Sequence, residues 1–357
     1  MFWPRQRFYG NKYMQLIKQD INIDFIGKRN IAAILSVAMI VISIVSLVIH
    51  KGPRYGVDFV GGALIQVKFE SPVDIGKIKE ALRETGLEKP SVQTFGDEKG
   101  SEYLIRAKNI FTGTSGIAEK VKGPLKAATG LEPEIRRVEM VGPQVGSDLR
   151  KSALLAMFFA LLFIAIYISG RFEQKWVVSG VLAGSLMGAV YLLSIFNVGI
   201  PFLIGSAVIV TLIFFWFLKL KYAMGAAVAL VHDIIITIGL FSIFGKEFTL
   251  PIVAALLTII GYSLNDTIIV FDRIRENHRK LGKKPLDFLI NRSINETLSR
   301  TILTSCTTLI VLLSLFIFGG GIIHDFAFAM IVGVGVGTYS SVYVASPMLM
   351  AWGKNSE

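Results

Sequence analysis

The sequence predicts a multi-span α-helical membrane protein carrying one soluble α+β domain of the ferredoxin-like kind. Three observations predict it. Hydrophobic residues make up 53% of the 357 positions and charged ones only 18%, with a mean hydropathy of +0.59. The charges are clumped between long uncharged runs, as in an integral membrane protein. One stretch, 50–149, departs from that pattern and alternates short strand-like and helix-like segments between turn residues.

The net charge of +11 invites a nucleic-acid reading, but its placement argues otherwise. The excess falls in segments 1–29, 171–175, 219–221, 272–300 and 353–357, which a span count puts on one side. That is the positive-inside asymmetry, so no nucleic-acid partner is expected. The single cysteine, Cys306, excludes a disulfide scaffold and reads as inert packing buried in an apolar helix. The first apolar run starts near Ile31 and continues for a full span, which reads as a signal anchor.

In chain order, 1–30 reads as a cytoplasmic, surface-lying tail. The run 31–49 has no charge and covers about 28 Å as a helix, enough to cross. The soluble domain, 50–149, opens on a glycine-rich turn, Gly56–Gly62. Alternation predicts strands at 63–69, 91–95, 102–107 and 134–141, with a turn at 96–100. Helical spacing predicts helices at 74–85 and 115–129. The order β-α-β-β-α-β is the ferredoxin-like one. From 150 to 353 the chain is a membrane bundle, with spans at about 152–169, 176–196, 201–218, 222–244, 251–271, 301–319 and 326–352. With the first, that makes eight, both termini cytoplasmic and the domain outside. The cytoplasmic link 272–300 carries Leu286, Leu289, Ile290, Ile294 and Leu298 at helical spacing, which predicts a helix along the membrane surface. Residues 354–357 form a short cytoplasmic tail.

The stretch 254–277 holds the residue that demands an explanation. Asp266 lies inside a membrane-grade run, flanked by Ser263, Asn265 and Thr267. A carboxylate there costs roughly 2.5–3.5 kcal/mol on insertion scales and is by default functional, with a partner to be named. If the span starts at Pro251 on the outer side, Asp266 lies about 22 Å along it. Arg300 opens the next span from the inner side, and its long stem reaches to that depth. Desolvation and a nearby cation act in opposite senses on a carboxylate, so the two together poise an acid to take and release a proton. A structural ion pair joining two helices is the competing reading. Asp233, beside His232 near mid-span, is a second candidate relay with an equally open structural role. Asp58 reads as stabilising its own turn, and His324-Asp325 as outer-loop surface. Thr304, Ser305, Thr307 and Thr308 either line a polar path or bond back to their own helix carbonyls, the second being the plainer reading. Gly333, Gly335 and Gly337 lie in a membrane helix and serve close packing rather than a nucleotide. No P-loop, Ser-His-Asp set or metal-ligand spacing occurs, so neither cofactor nor nucleotide hydrolysis is expected. Work must then come from the proton gradient and membrane potential, or from a partner.

The runs GVDFVGG (56–62), VEMVGPQVG (138–146), ALVHD (229–233), 254–277, SRTILTSCTT (299–308) and GTYSSVYVASP (337–347) resemble those of the SecF family. That family is the smaller half of the bacterial SecD–SecF protein-export complex, within the resistance–nodulation–division superfamily. The resemblance implies a multi-pass inner-membrane subunit with a periplasmic domain. It implies SecD and the SecYEG channel as partners, with YajC as a further candidate, alongside a translocating preprotein and membrane lipid. The activity implied is proton-driven late translocation, with Asp266 and Arg300 matching the family's coupling pair. A small-molecule or lipid exporter of the superfamily and a non-conducting structural subunit stand as alternatives. One departure is visible. Family members have six spans, and their Arg-Phe-Glu connector leads straight into the span with the His-Asp pair. Here Arg171-Phe172-Glu173 and His232-Asp233 are separated by two additional runs, within about 176–218. Gly180, Gly184 and Gly188 in the first of these form a small-residue stripe suited to helix packing. The insertion is expected to be peripheral.

Overall fold

The computed structural model describes residues 21–83, 85, 87–95, 101–108, 114–173, 176–195, 200–282 and 284–353. Residues 1–20 of the expected tail, the 96–100 turn, the 197–199 link between the expected spans 176–196 and 201–218, and the 354–357 tail lie outside them. Helix α1 (Arg29–Ile49) is followed by a two-residue strand β1 (Arg54–Tyr55) and a single helical turn α2 (Val57–Val60). A βαββαβ domain then runs β2 (Gly62–Lys68), α3 (Ile75–Arg83), β3 (Glu88–Phe95), β4 (Glu102–Lys108), α4 (Thr114–Thr129) and β5 (Glu134–Val141). Its sheet has the order β3-β4-β2-β5, and every pair is antiparallel. Alternation explains the layer. Ala63, Ile65 and Val67 of β2 face inward, opposite Ala107, Ile105 and Tyr103 of β4. Ile78 and Leu82 of α3, with Ile117, Val121 and Leu125 of α4, close over them as one buried core.

The remaining helices are α5 (Pro143–Glu173), α6 (Trp176–Ile195), α7 (Ile200–Phe217), α8 (Lys221–Ile243), α9 (Leu250–Leu281), α10 (Leu286–Phe318) and α11 (Gly321–Ser340), with a short strand β6 (Glu247–Phe248) before α9. A π-helical turn, Ser341–Ala345, and short helical turns to Gly353 finish the chain. Among the described residues, six helices are long and apolar enough to cross a membrane: α1, α5, α8, α9, α10 and the 28-residue stretch Gly321–Met348. The apolar parts of α6 and α7, Trp176–Gly188 and Gly205–Phe217, are shorter. Helix α9 is the spine of the bundle. Its first half (Ile252, Leu256, Ile259) packs with Phe241, Phe248, Met330 and Val334. Its second half (Ile260, Leu264, Phe271, Ile274) packs with residues of α5, α8 and α10.

Four expectations meet a different structure. No separate surface helix spans 285–299, because α10 continues unbroken for 33 residues into its span. Its apolar positions Leu289, Ile290, Ile294 and Leu298 are buried against the protein rather than laid on lipid. The described end of the N-terminal tail is docked on the same helix. Ile23 N donates to Asn295 Oδ1 and Phe25 N to Asn291 Oδ1, both at 2.8 Å. Cys306 is exposed on α10, not buried. A Cβ built on Gly180, Gly184 or Gly188 would meet nothing within 4 Å, so that stripe packs against no part of the described chain.

Candidate functional site

The two intramembrane acids sit on neighbouring helices, and the bundle treats them differently. Asp233 on α8 and Asp266 on α9 are each only 1% exposed. Asp233 is fully bonded. Its Oδ1 lies 2.9 Å from His232 Nδ1, and its Oδ2 accepts from Ser263 Oγ at 2.6 Å and Ser340 Oγ at 2.8 Å. One carboxylate thus ties α8 to α9 and α11. His232 stacks on Tyr339, whose hydroxyl donates to Ala32 O of α1 at 2.7 Å. Asp266 follows Ser263 by three residues and so lies on the same face of α9, one turn nearer Asp272. Its Oδ2 is buried without a hydrogen-bond partner, as are Thr301 Oγ1 and His232 Nε2. Buried polar atoms are bonded in the great majority of cases, so each such orphan calls for an account.

Arg300 does not pair with Asp266. It is exposed at the position before the buried Thr301 on α10, and its charge reaches the Asp266 carboxylate only through space. The expected pair is therefore an electrostatic neighbourhood rather than a contact. Of the hydroxyls on α10, Thr304, Thr307 and Thr308 bond back to backbone carbonyls of α10 as expected. Ser305 does not: it meets Thr338 Oγ1 of α11 at 2.7 Å. The close approach that permits this layer is glycine's. A Cβ on Gly337 would stand 2.9 Å from Ser263 Cβ, and one on Gly333 would overlap Ile259.

Both ends of α9 are fastened. At the end nearer Asp272, Arg171 Nη2 donates to Asp272 Oδ2 at 2.7 Å. Phe172 packs on Tyr222 and Phe271, and Glu173 Oε1 accepts from Tyr222 N at 3.1 Å, at the start of α8. At the other end, Leu250 N donates to Asp58 Oδ2 at 2.9 Å. Asp58 therefore reaches beyond its own turn to another helix. β1 pairs with β6 in parallel. Arg106 of β4 forms an ion pair with Glu247 of β6. Burial pushes the Arg106 guanidinium down to about 10, against the opposing pull of Asp325. Asp325 in turn accepts from Lys246 Nζ at 2.5 Å, so it braces the junction rather than forming plain surface.

A family model for the C-terminal part of the protein export membrane protein SecD/SecF matches residues 120–202 and 194–355. A model for the SecD/SecF GG motif matches 46–73. The protein translocase subunit SecF of Magnetococcus marinus is 41% identical over 344 residues, 94% of this chain and 94% of that one. The chain belongs to the SecF family. The SecF of Escherichia coli O157:H7 is 35% identical over 327 residues, 92% of this chain and 85% of its own. Among solved structures, SecDF of Thermus thermophilus, a translocon-associated membrane protein, superposes with a TM-score of 0.74 at 31% identity. That match covers 95% of this chain and 40% of SecDF. A super-membrane-facing form of SecDF superposes with a TM-score of 0.58, again at 31% identity, over 94% of this chain and 39% of that one. This SecF-family chain thus spans about 40% of the length of SecDF.

Within this SecF-family chain, GVDFVGG falls in the GG-motif match, and Asp233, Asp266 and Arg300 fall in the C-terminal match. Sequence reasoning did not find the roles of Ser340, Asp58, Glu173 or Arg106. One signal for Asp58 exists in the chain. The Thr249-Leu250-Pro251 helix start has no acid in its first turn and no side-chain cap of its own, so its free N–H needs an acceptor from elsewhere.

Proposed function

We propose that this chain is the SecF-type half of a proton-driven protein translocase in the bacterial inner membrane, working with a SecD partner beside the SecYEG channel. The βαββαβ domain is read as ferredoxin-like and periplasmic, the termini as cytoplasmic, and α6 and α7 as two inserted spans that raise the count from six to eight. The C-terminal family model matches in two pieces, 120–202 and 194–355, that overlap where α6 passes into α7, which supports an insertion there. YajC is a further candidate partner, and preprotein and lipid are the materials the assembly handles.

The observation that carries the reading is the orphaned Asp266 oxygen at the centre of the bundle. A carboxylate taken out of water without a partner is costly. A proton arriving from one side, or the field of Arg300 drawing nearer, relieves that cost. Either event favours one helix arrangement over another, which is what a ligand-driven shift requires. Asp233, with both oxygens already bonded, has the weaker case as a carrier; it holds the layer in which Asp266 sits. The Asp266→Asn variant tests the reading. It is expected to assemble with SecD and to lose proton-dependent export late in translocation. Normal export by that variant would mean that Asp266 is not the coupling acid.

A further inference from the structure

The outer end of the helix that carries Asp266 is completed by a residue from outside the helix. The first four N–H groups of an α-helix have no partner within it. In α9 each is accounted for. Pro251 has no N–H. Ile252 N and Val253 N donate to Thr249 O at 3.1 and 3.2 Å. Leu250 N donates to Asp58 Oδ2. The Thr249 side chain makes no cap. The acceptor thus comes from 192 residues earlier, in the turn α2.

That turn is a junction. It follows α1, and its ring Phe59 is buried in the outer cluster of the bundle beside Phe248 and Ile252. Gly56 N donates to Phe248 O at 2.9 Å. At its far side Gly61 adopts φ +78°, and a Cβ there would stand 2.7 Å from Pro143 Cα at the start of α5. The soluble domain begins at the next residue, Gly62, which is paired with Val141, where the domain ends. Both covalent connections therefore leave from two neighbouring strands, which act as a hinge. Only contacts away from that hinge line transmit rotation between domain and bundle. Arg106 on Glu247 is such a contact; Asp58 lies on the bundle side of the hinge, in the turn from which β2 leaves, and ties that turn to α9.

We propose that Asp58 is a positioning residue that couples displacement of α9 to the soluble domain, by gripping the free N–H at the outer end of the helix whose inner half holds Asp266. The proposal rests on the proton-driven reading above. Helix α9 is continuous from Leu250 to Leu281, so about 24 Å of rigid rod separates grip and acid. An axial shift at Asp266 arrives undiminished at Leu250, and the carboxylate passes it to the turn on which the sheet is hinged.

The test separates coupling from simple capping, in the reconstituted complex with SecD. Asp58→Ala is expected to lose proton-driven export while vesicles still take up protons. Asp58→Asn keeps an oxygen acceptor in place and is expected to rescue export. Thr249→Asp, added to Asp58→Ala, supplies an acid to the same helix end from within α9. It is expected to restore thermal stability without restoring export. Three results would overturn the proposal: normal export by Asp58→Ala, recovery of export by the Thr249→Asp addition, or loss of proton uptake as well as export in the double variant. Asp266→Asn run in parallel keeps the two questions apart. Export by that variant sinks the proton reading itself, whereas recovery by Thr249→Asp sinks only the coupling.

Discussion

Asp233 and Asp266 are equally buried, and what distinguishes them is their hydrogen bonding. Asp233 accepts from two serines and faces a histidine, so removing its charge strands three groups at once. Asp266 has an oxygen with no partner, so removing its charge strands none on that side. The two acid-to-amide changes should then have opposite thermal consequences. Asp233→Asn turns one oxygen into an NH₂ donor facing other donors, and each bond broken costs roughly 1–3 kcal/mol, which lowers the melting temperature of the complex. Asp266→Asn removes a desolvated charge and is expected to leave that temperature unchanged or higher. Differential scanning of the two purified variants checks this; equal destabilisation would mean that Asp266 is also a structural anchor. Both acids were legible in the sequence because each interrupts an apolar run. Their partners were not, because Ser340 lies 107 residues from Asp233 and helical periodicity does not say which helices are neighbours.

Among the elements, the short strands and turns where the βαββαβ domain meets the bundle matter more than their size suggests. The β1–β6 pair is two residues long, and Arg106 and Glu247 join it to the sheet. Because burial holds the folded-state value of Arg106 at about 10, below that of the unfolded chain, its charge costs stability at neutral pH. That cost is relieved only as pH rises above the folded value. The strap should be indifferent to pH between 6 and 8, and proton dependence in that range belongs to other groups. Arg106→Ala leaves Glu247 without its cation. It should speed amide exchange at residues 247–250 by about ten- to a hundredfold, the equivalent of a charged hydrogen bond worth ~1.5–3 kcal/mol. The exchanged pair Arg106→Glu with Glu247→Arg should recover most of the protection, and failure to do so would show that packing rather than charge closes the strap. The strands and helices of the βαββαβ domain were legible because alternation and helical spacing are local. The strap was not, since it joins residues 106 and 247 across the domain boundary. The unbroken α10 was missed for a related reason: a change from polar to apolar composition marks a change of surroundings, not the end of a helix.

At the scale of the molecule, the helix pair α6–α7 is an excursion from a frame that closes without it. Glu173 ends α5, and its carboxylate accepts from Tyr222 N at the start of α8, so the two ends of the excursion stand within one hydrogen bond of each other. The connector Arg171-Phe172-Glu173 thus still meets the His-Asp helix as though nothing intervened, with Phe172 stacked on Tyr222. The excursion packs on the frame through apolar side chains, including Ala183, Leu186, Ala207 and Phe215. In water, removing them would expose a core. In a bilayer the vacated faces of α5 and α8 meet acyl chains that are as apolar as the helices they replace, so the loss is one of packing rather than of burial from water. The exposed glycines 180, 184 and 188 face away from the frame, where nothing in the described chain depends on them. Replacing residues 176–219 by a short Gly/Ser linker is therefore expected to leave a folded chain that still binds SecD. Its proton-dependent export should match the parent within about twofold, the frame carrying Asp266 being intact. Co-purification and an export assay on the shortened chain decide the matter. Assembly with export lost would place the excursion in contact with a working partner, and failure to assemble would make it part of the frame.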